Sequence, residues 1–218
     1  PFITQYDQEK VEFLLWTSTN PGDNDYYKLE PFNLTNLQSS PFTSTRKTYI
    51  FVHGYTDTGT EKWILKAKTK IINLEDANII SVNFWQLVAK PSNTDLDYPP
   101  AVCNSYKVSI RKVKMIPDIN TVGNFSAHFF DWLGKSANLK ASSMHIIGHS
   151  LGAHTAGVMA HYMIQLTIGK VSRITGLDPA GVLYSKLINK FRLDKYQANF
   201  VDIIHTNGCD IPALVNKF

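Results

Sequence analysis

Met144-His145-Ile146-Ile147-Gly148-His149-Ser150-Leu151-Gly152-Ala153-His154 decides how the rest of the chain is read. An apolar, strand-like run from Met144 to His149 leads into Gly-His-Ser-Leu-Gly, and a helical pattern from Ser150 to about Leu166 follows. A serine between a strand and a helix, with glycine two residues to either side, is the pattern of a nucleophile elbow. The turn is so tight that the serine takes strained backbone angles, and Gly148 and Gly152 are needed because side chains there would collide. Such a turn lifts the Ser150 hydroxyl above the sheet. It also puts the Leu151 N–H at the helix N-terminus, where it can stabilise a developing oxyanion. Gly152, Ala153, Ala156, Gly157 and Ala160 form a small-residue stripe that lets this helix lie close to its neighbours.

Further strands read outward from this point at Val11 to Trp16, Thr48 to His53, Asn78 to Phe84, Val171 to Leu177 and Phe200 to Thr206. Most are short, continuous apolar runs, which suit strands of a parallel sheet covered on both faces. Helical patterns at Thr60 to Ile72 and Asp118 to Gly134 separate them. In the second, Ile119, Val122, Phe125, Phe129 and Leu133 share one face. Asn120, Asn124, His128, Asp131 and Lys135 form the opposite, water-facing side, and Asp118 is placed to cap the start. Alternating strands and helices predict an α/β fold with a mostly parallel sheet and flanking helices. No linker, repeat or low-complexity tract divides residues 1–218, which read as a single domain.

The 218 residues are 44% hydrophobic and 18% charged, enough apolar surface to exclude a disordered chain. The uncharged apolar stretch Ala77 to Ala89 is too short and too polar to span a bilayer. The net charge of +4 is too small for a nucleic-acid binder. It is concentrated in Ser105 to Pro117, where Lys107, Arg111, Lys112 and Lys114 occur without an acid. That segment reads as a solvated basic loop or as a contact for lipid headgroups or another polyanion. The two cysteines, Cys103 and Cys209, are consistent with one bridge or with two free thiols. Asn33-Leu34-Thr35 and Asn124-Phe125-Ser126 are glycosylation sequons, which fit a secreted protein whose leader is absent from this chain. No Cys/His cluster has metal-ligand spacing, and neither metal nor cofactor is expected.

Two other segments carry candidate chemistry. Phe51-Val52-His53-Gly54-Tyr55 ends a strand upstream of the elbow, where the Tyr55 N–H can supply a second oxyanion donor or the segment can be a simple strand-end turn. His53 itself reads as a hydrogen-bonded structural histidine. Asp178, in Gly176-Leu177-Asp178-Pro179-Ala180, ends the strand after the elbow strand, where a carboxylate can orient a histidine.

Together these segments resemble the pancreatic lipase family of neutral lipases and phospholipases A1, in the style of insect lipase-like proteins. The carrying residues are Tyr49 to Tyr55, Ile147 to His154, Arg173 to Gly181 and Phe200 to Thr206, and the match runs from about Val11 to Asn207. The resemblance implies an α/β-hydrolase fold and a secreted carboxylic ester hydrolase acting on lipid at an interface. In it Ser150 is the nucleophile, Asp178 the acid, Tyr55 and Leu151 the oxyanion hole, and Gly148, His149 and Gly152 the elbow frame. The family's Val-Asp-Trp is Val82-Asn83-Phe84 here, while its Tyr-x-x-Ala-x-x-Asn is matched by Tyr98, Ala101 and Asn104. A helix normally follows at once, so Ser105 to Pro117 is a surface loop peculiar to this chain or an unspliced intron read through.

In the family the lid and the catalytic histidine come after the Phe200 to Thr206 strand. Six histidines precede Asp178, and His205, the seventh, matches a family position that is not the triad base. The chain is therefore expected to be truncated before the catalytic histidine and inactive as given. The alternative is a catalytically silent lipase-like protein that binds or stores lipid.

Overall fold

The computed structural model describes residues 9–88, 115–181 and 189–206. Cys103, Cys209, the basic run of residues 107–114 and the Tyr98, Ala101 and Asn104 motif lie outside them. Seven strands form one sheet: β1 (Glu12–Trp16), β2 (Tyr27–Leu29), β3 (Lys47–Val52), β4 (Ala77–Asn83), β5 (Met144–His149), β6 (Val171–Leu177) and β7 (Ala198–Ile204). Their order is β2-β1-β4-β3-β5-β6-β7. β1 runs antiparallel to both β2 and β4, whereas β4, β3, β5, β6 and β7 are parallel to one another. The helices are α1 (Leu34–Ser39), α2 (Lys62–Leu74), α3 (Trp85–Val88), α4 (Met115–Ala137) and α5 (Leu151–Gln165). This is an α/β-hydrolase architecture, a mostly parallel sheet with flanking helices.

The period of a strand sorts its side chains to two cores. Phe13, Leu15, Ile50, Val52, Ile80 and Val82 pack with residues of α4 and α5. Phe13 stacks on Phe129 with ring centroids 3.8 Å apart. Leu14, Trp16, Phe51 and Ile79 point to the other face and pack with Ile64 of α2. At that face Lys68 is wholly buried, with Nζ donating to the Pro21 carbonyl (2.6 Å) and to Asp23 Oδ1 (2.7 Å). It fastens the β1–β2 turn to α2.

Coverage of both sheet faces holds for β3 and β4 but not farther along. β5 alternates buried and half-buried residues, while Phe200 and Ile204 of β7 are exposed. The half-buried side of β5 and β6 carries polar groups that satisfy one another. The His145 ring bonds the Thr175 hydroxyl (2.8 Å), which donates to Asp202, and Arg173 grips Asp202 with two 2.9 Å bonds.

α4 begins at Met115, three residues before the expected cap at Asp118. Pro117 is thus in the first turn, where a missing N–H leaves no bond unmade. The expected water-facing side of this helix also needs correction, because part of it packs against α5 and the turn after it. Asn120 accepts from the Tyr162 hydroxyl (2.9 Å). Asp131 is buried and accepts from the Thr167 hydroxyl (2.7 Å) and the Ile168 N–H (2.9 Å) while pairing with Lys135. Asn124 is half-buried with an inaccessible Oδ1, and Ser126 is buried. That sequon is therefore poorly placed to carry a glycan. Asn33 is exposed and caps α1, its Oδ1 accepting from the Asn36 N–H (3.0 Å).

The strand register positions the site. Val52 of β3 pairs with Gly148, His149 pairs with Leu177, and Leu177 pairs with Ile204. The C-terminal ends of β3, β5, β6 and β7 are therefore level. His53, Ser150, Asp178 and His205 leave the sheet along one edge, where ligands gather in parallel α/β sheets.

Candidate active site

Ser150 sits between β5 and α5 with φ 52° and ψ −115°. Its N–H donates to the Leu177 carbonyl (2.9 Å), and its own carbonyl accepts from Ala153 (3.2 Å) and Ala180 (3.4 Å). A Cβ on Gly148 would come under 3.0 Å from the backbone of Gly152 and Ala153, and one on Gly152 equally close to the carbonyls of Val52 and His53. The collisions are with backbone, so no rotamer change relieves them. Thr56 (φ 63°) and Asp178 (φ 46°) also lie in the left-handed region. Three strained non-glycine residues on one sheet edge are the kind of cluster found at working sites.

Gly54 lies against the turn at Ser150, since a Cβ built on it would be 3.3 Å from Ser150 Cβ. The loop that begins Gly54-Tyr55 thus stands beside Ser150, and Leu151 opens α5 directly after it. The amides of the first turn of a helix have no partner within the helix, which leaves that of Leu151 available to a ligand. On the other side, the Asp178 N–H donates to the Ile204 carbonyl (2.7 Å). Asp178 Oδ2 accepts from the Thr206 hydroxyl (3.2 Å), and Oδ1 lies 3.7 Å from His205 Nδ1.

All seven histidines are among the described residues, and none hydrogen-bonds the Ser150 hydroxyl there. His53 is fully buried: Nε2 accepts the Phe84 N–H (3.0 Å), so Nδ1 carries the proton and donates to the Gly54 carbonyl (2.9 Å). Burial pushes its pKa down to about 4. It is structural, as expected, and ties the end of β3 to the end of β4. His154 does the same for the loop after Asp178. Its Nδ1 accepts the Leu193 N–H (3.2 Å) and its Nε2 donates to the Ala180 carbonyl (2.9 Å), with the pKa pushed by burial to about 4. His145, held down to about 4 by burial and then by the Arg173 charge, belongs to the polar row on the sheet. His161 bonds Gln165, and His128 is exposed on α4. His149 meets Trp63 edge-on and lies 3.5 Å from Asp57.

His205 follows β7, on the far side of Asp178 from Ser150. Ser150, Asp178 and His205 follow β5, β6 and β7, so two inter-strand spacings, roughly 10 Å, separate the backbones of Ser150 and His205. A base must come within about 3 Å of the hydroxyl it deprotonates, between serine and acid.

The lipase family model matches residues 2–215. This chain belongs to the lipase family. It is 35% identical to pancreatic triacylglycerol lipase of Myocastor coypus over 201 residues, which are 92% of this chain and 38% of that protein. The human pancreatic triacylglycerol lipase is 32% identical over 201 residues, 92% of this chain and 37% of the relative. Lipoprotein lipase of Gallus gallus is 35% identical over 197 residues, 89% of this chain and 35% of the relative. The chain spans less than two fifths of the length of these relatives. No helix among the described residues is long and apolar enough to cross a membrane.

Within this lipase-family chain, two residues matter more than their sequence context suggests. Asn83, in place of the family's aspartate, is buried, accepts the Gly59 N–H (2.9 Å) and donates to Glu12 Oε2 (2.8 Å). A carboxylate could keep the first bond but would confront Glu12 in the second, so the departure is matched by its neighbour. Asp57 is the other. Its carboxylate accepts the Gly54 N–H (3.3 Å) beside the turn at Ser150. An aspartate three residues after a Gly at a strand end is a turn signal, and that was the only trace in the sequence.

Proposed function

We propose that the protein is a secreted carboxylic ester hydrolase acting on lipids, of the triacylglycerol lipase or phospholipase A1 type, with Ser150 as its nucleophile. The observation that carries this reading is the left-handed Ser150, framed by two glycines that backbone contacts exclude from substitution. The Ser150 Oγ attacks the ester carbonyl, and its proton passes to a histidine that Asp178 orients. The N–H groups of Tyr55 and Leu151 meet the developing oxyanion. Collapse of the tetrahedral species breaks the bond to the alcohol, which leaves with that proton. Water then cleaves the acyl-enzyme by the same steps in reverse. The lipid substrate class follows the names of the relatives, and no cofactor takes part. Secretion is supported by the exposed Asn33 sequon, where the remaining amide N–H after glycan attachment can still reach Glu30.

The test is fatty-acid release by the natural protein from emulsified triolein, phosphatidylcholine vesicles and a soluble butyrate ester. Hydrolysis of the butyrate ester and at least one lipid is expected, with the preferred lipid separating the two types. Vesicle or emulsion binding with no release from any of the three would replace this reading with that of a silent lipid-binding protein.

A further inference from the structure

We propose that Asp57 and His149 are positioning residues that hold the oxyanion-donating loop against the elbow. The inference rests on reading Ser150 as nucleophile and the Tyr55 N–H as oxyanion donor. Gly54 is the point where the pieces meet. A Cβ there would stand 3.2 Å from Asp57 Oδ2, 3.2 Å from His149 Nδ1 and 3.3 Å from Ser150 Cβ. One carboxylate oxygen serves two elements: Asp57 Oδ2 accepts the Gly54 N–H at 3.3 Å and lies 3.5 Å from His149 Nδ1. That Nδ1 is inaccessible to solvent and has no hydrogen-bond partner among the described residues. A small approach of the carboxylate completes the bond, with Nδ1–H as donor.

The loop needs such a hold. Thr56, between Tyr55 and Asp57, is β-branched and left-handed, a conformation that persists only when its surroundings impose it. The Asp57–Gly54 bond closes the turn around Thr56 and so limits how far the Tyr55 peptide plane can rotate. His149 is covalently next to Ser150, and its ring is backed edge-on by Trp63 of α2, with centroids 5.9 Å apart. A carboxylate bridging Gly54 and His149 therefore sets the donor loop relative to the nucleophile. Oxyanion stabilisation depends steeply on donor placement, so this spacing affects the transition state and leaves substrate binding largely untouched.

The test uses the natural protein and a soluble butyrate ester. Asp57→Ala is expected to lower kcat between about tenfold and a hundredfold with KM unchanged, less than the roughly 10²–10³ lost with an oxyanion donor itself. Asp57→Asn keeps an acceptor for the Gly54 N–H and should recover most of the loss. His149→Phe should lower kcat less, and should add little to Asp57→Ala in the double variant. Hydrogen exchange at the Gly54 amide gives a readout that needs no turnover: faster in Asp57→Ala, near wild type in Asp57→Asn. Full kcat in Asp57→Ala, or unchanged Gly54 exchange, would overturn the proposal. A loss of thermal stability with kcat, unrescued by asparagine, would also do so by marking a structural role. If the nucleophile reading alone is wrong, turnover survives Ser150→Ala, and the Gly54 exchange still decides the bridge.

Discussion

Purified by itself, the polypeptide of residues 1–218 is expected to turn over short-chain esters about 10⁶-fold more slowly than an enzyme with a complete serine triad. A serine hydroxyl is a weak nucleophile until an adjacent base removes its proton. Four histidines of the chain are otherwise engaged. His53 and His154 are buried with both ring nitrogens bonded, His149 faces Asp57, and His205 stands beyond Asp178. An intact elbow and oxyanion hole would leave a residual acceleration of roughly 10³–10⁴ over water. Initial rates with a p-nitrophenyl butyrate substrate measure it, and His205→Ala should leave the residual unchanged. Robust turnover that His205→Ala abolishes would instead make His205 the base.

The second large effect is a loss of stability in mild acid. His53 and His154 are neutral in the fold, with pKa values pushed to about 4 from an ordinary 6.5. Protonating either requires a buried acceptor nitrogen to give up the Phe84 or Leu193 N–H. The unfolded chain therefore binds more protons than the folded one between those values. The stabilisation is complete above pH 6.5 and is lost as pH falls towards 4. Each shift corresponds to about 3 kcal/mol at most. Two such losses are comparable with the whole stability of an ordinary domain, about 5–15 kcal/mol. Burial opposes ionisation of Asp131, but its bonds to Lys135, Thr167 and Ile168 win and lower its pKa, so its contribution is lost only at still lower pH. Urea midpoints measured from pH 7.5 to 4.5 should fall steeply below pH 6.5, and His154→Gln should flatten part of that slope. A midpoint unchanged down to pH 4.5 would refute the buried neutral histidines.

Much of this fold is legible in the sequence. β5 and β6 begin and end where their apolar runs do, because a parallel strand in mid-sheet is read from continuous hydrophobicity bounded by turn residues. The tight turn at Ser150 is legible because Gly148 and Gly152 answer a steric demand set by the chain itself. What escaped depends on contacts across the fold. β2 has three residues and α1 six, too few to show a period. Asp131 looks solvated in the sequence because a helical wheel shows one helix and not the turn at Thr167 that covers it. Asp57 and Asn83 look like ordinary loop and strand-end residues until Gly54, His149, Gly59 and Glu12 are brought beside them.

Covalent capture tests whether Ser150 is the nucleophile. The natural protein is treated with a fluorophosphonate and the adduct located by peptide mass spectrometry. One adduct is expected, on Ser150, lost in Ser150→Ala while the circular dichroism spectrum is retained. No adduct on the native protein, or an adduct that survives Ser150→Ala, would contradict it.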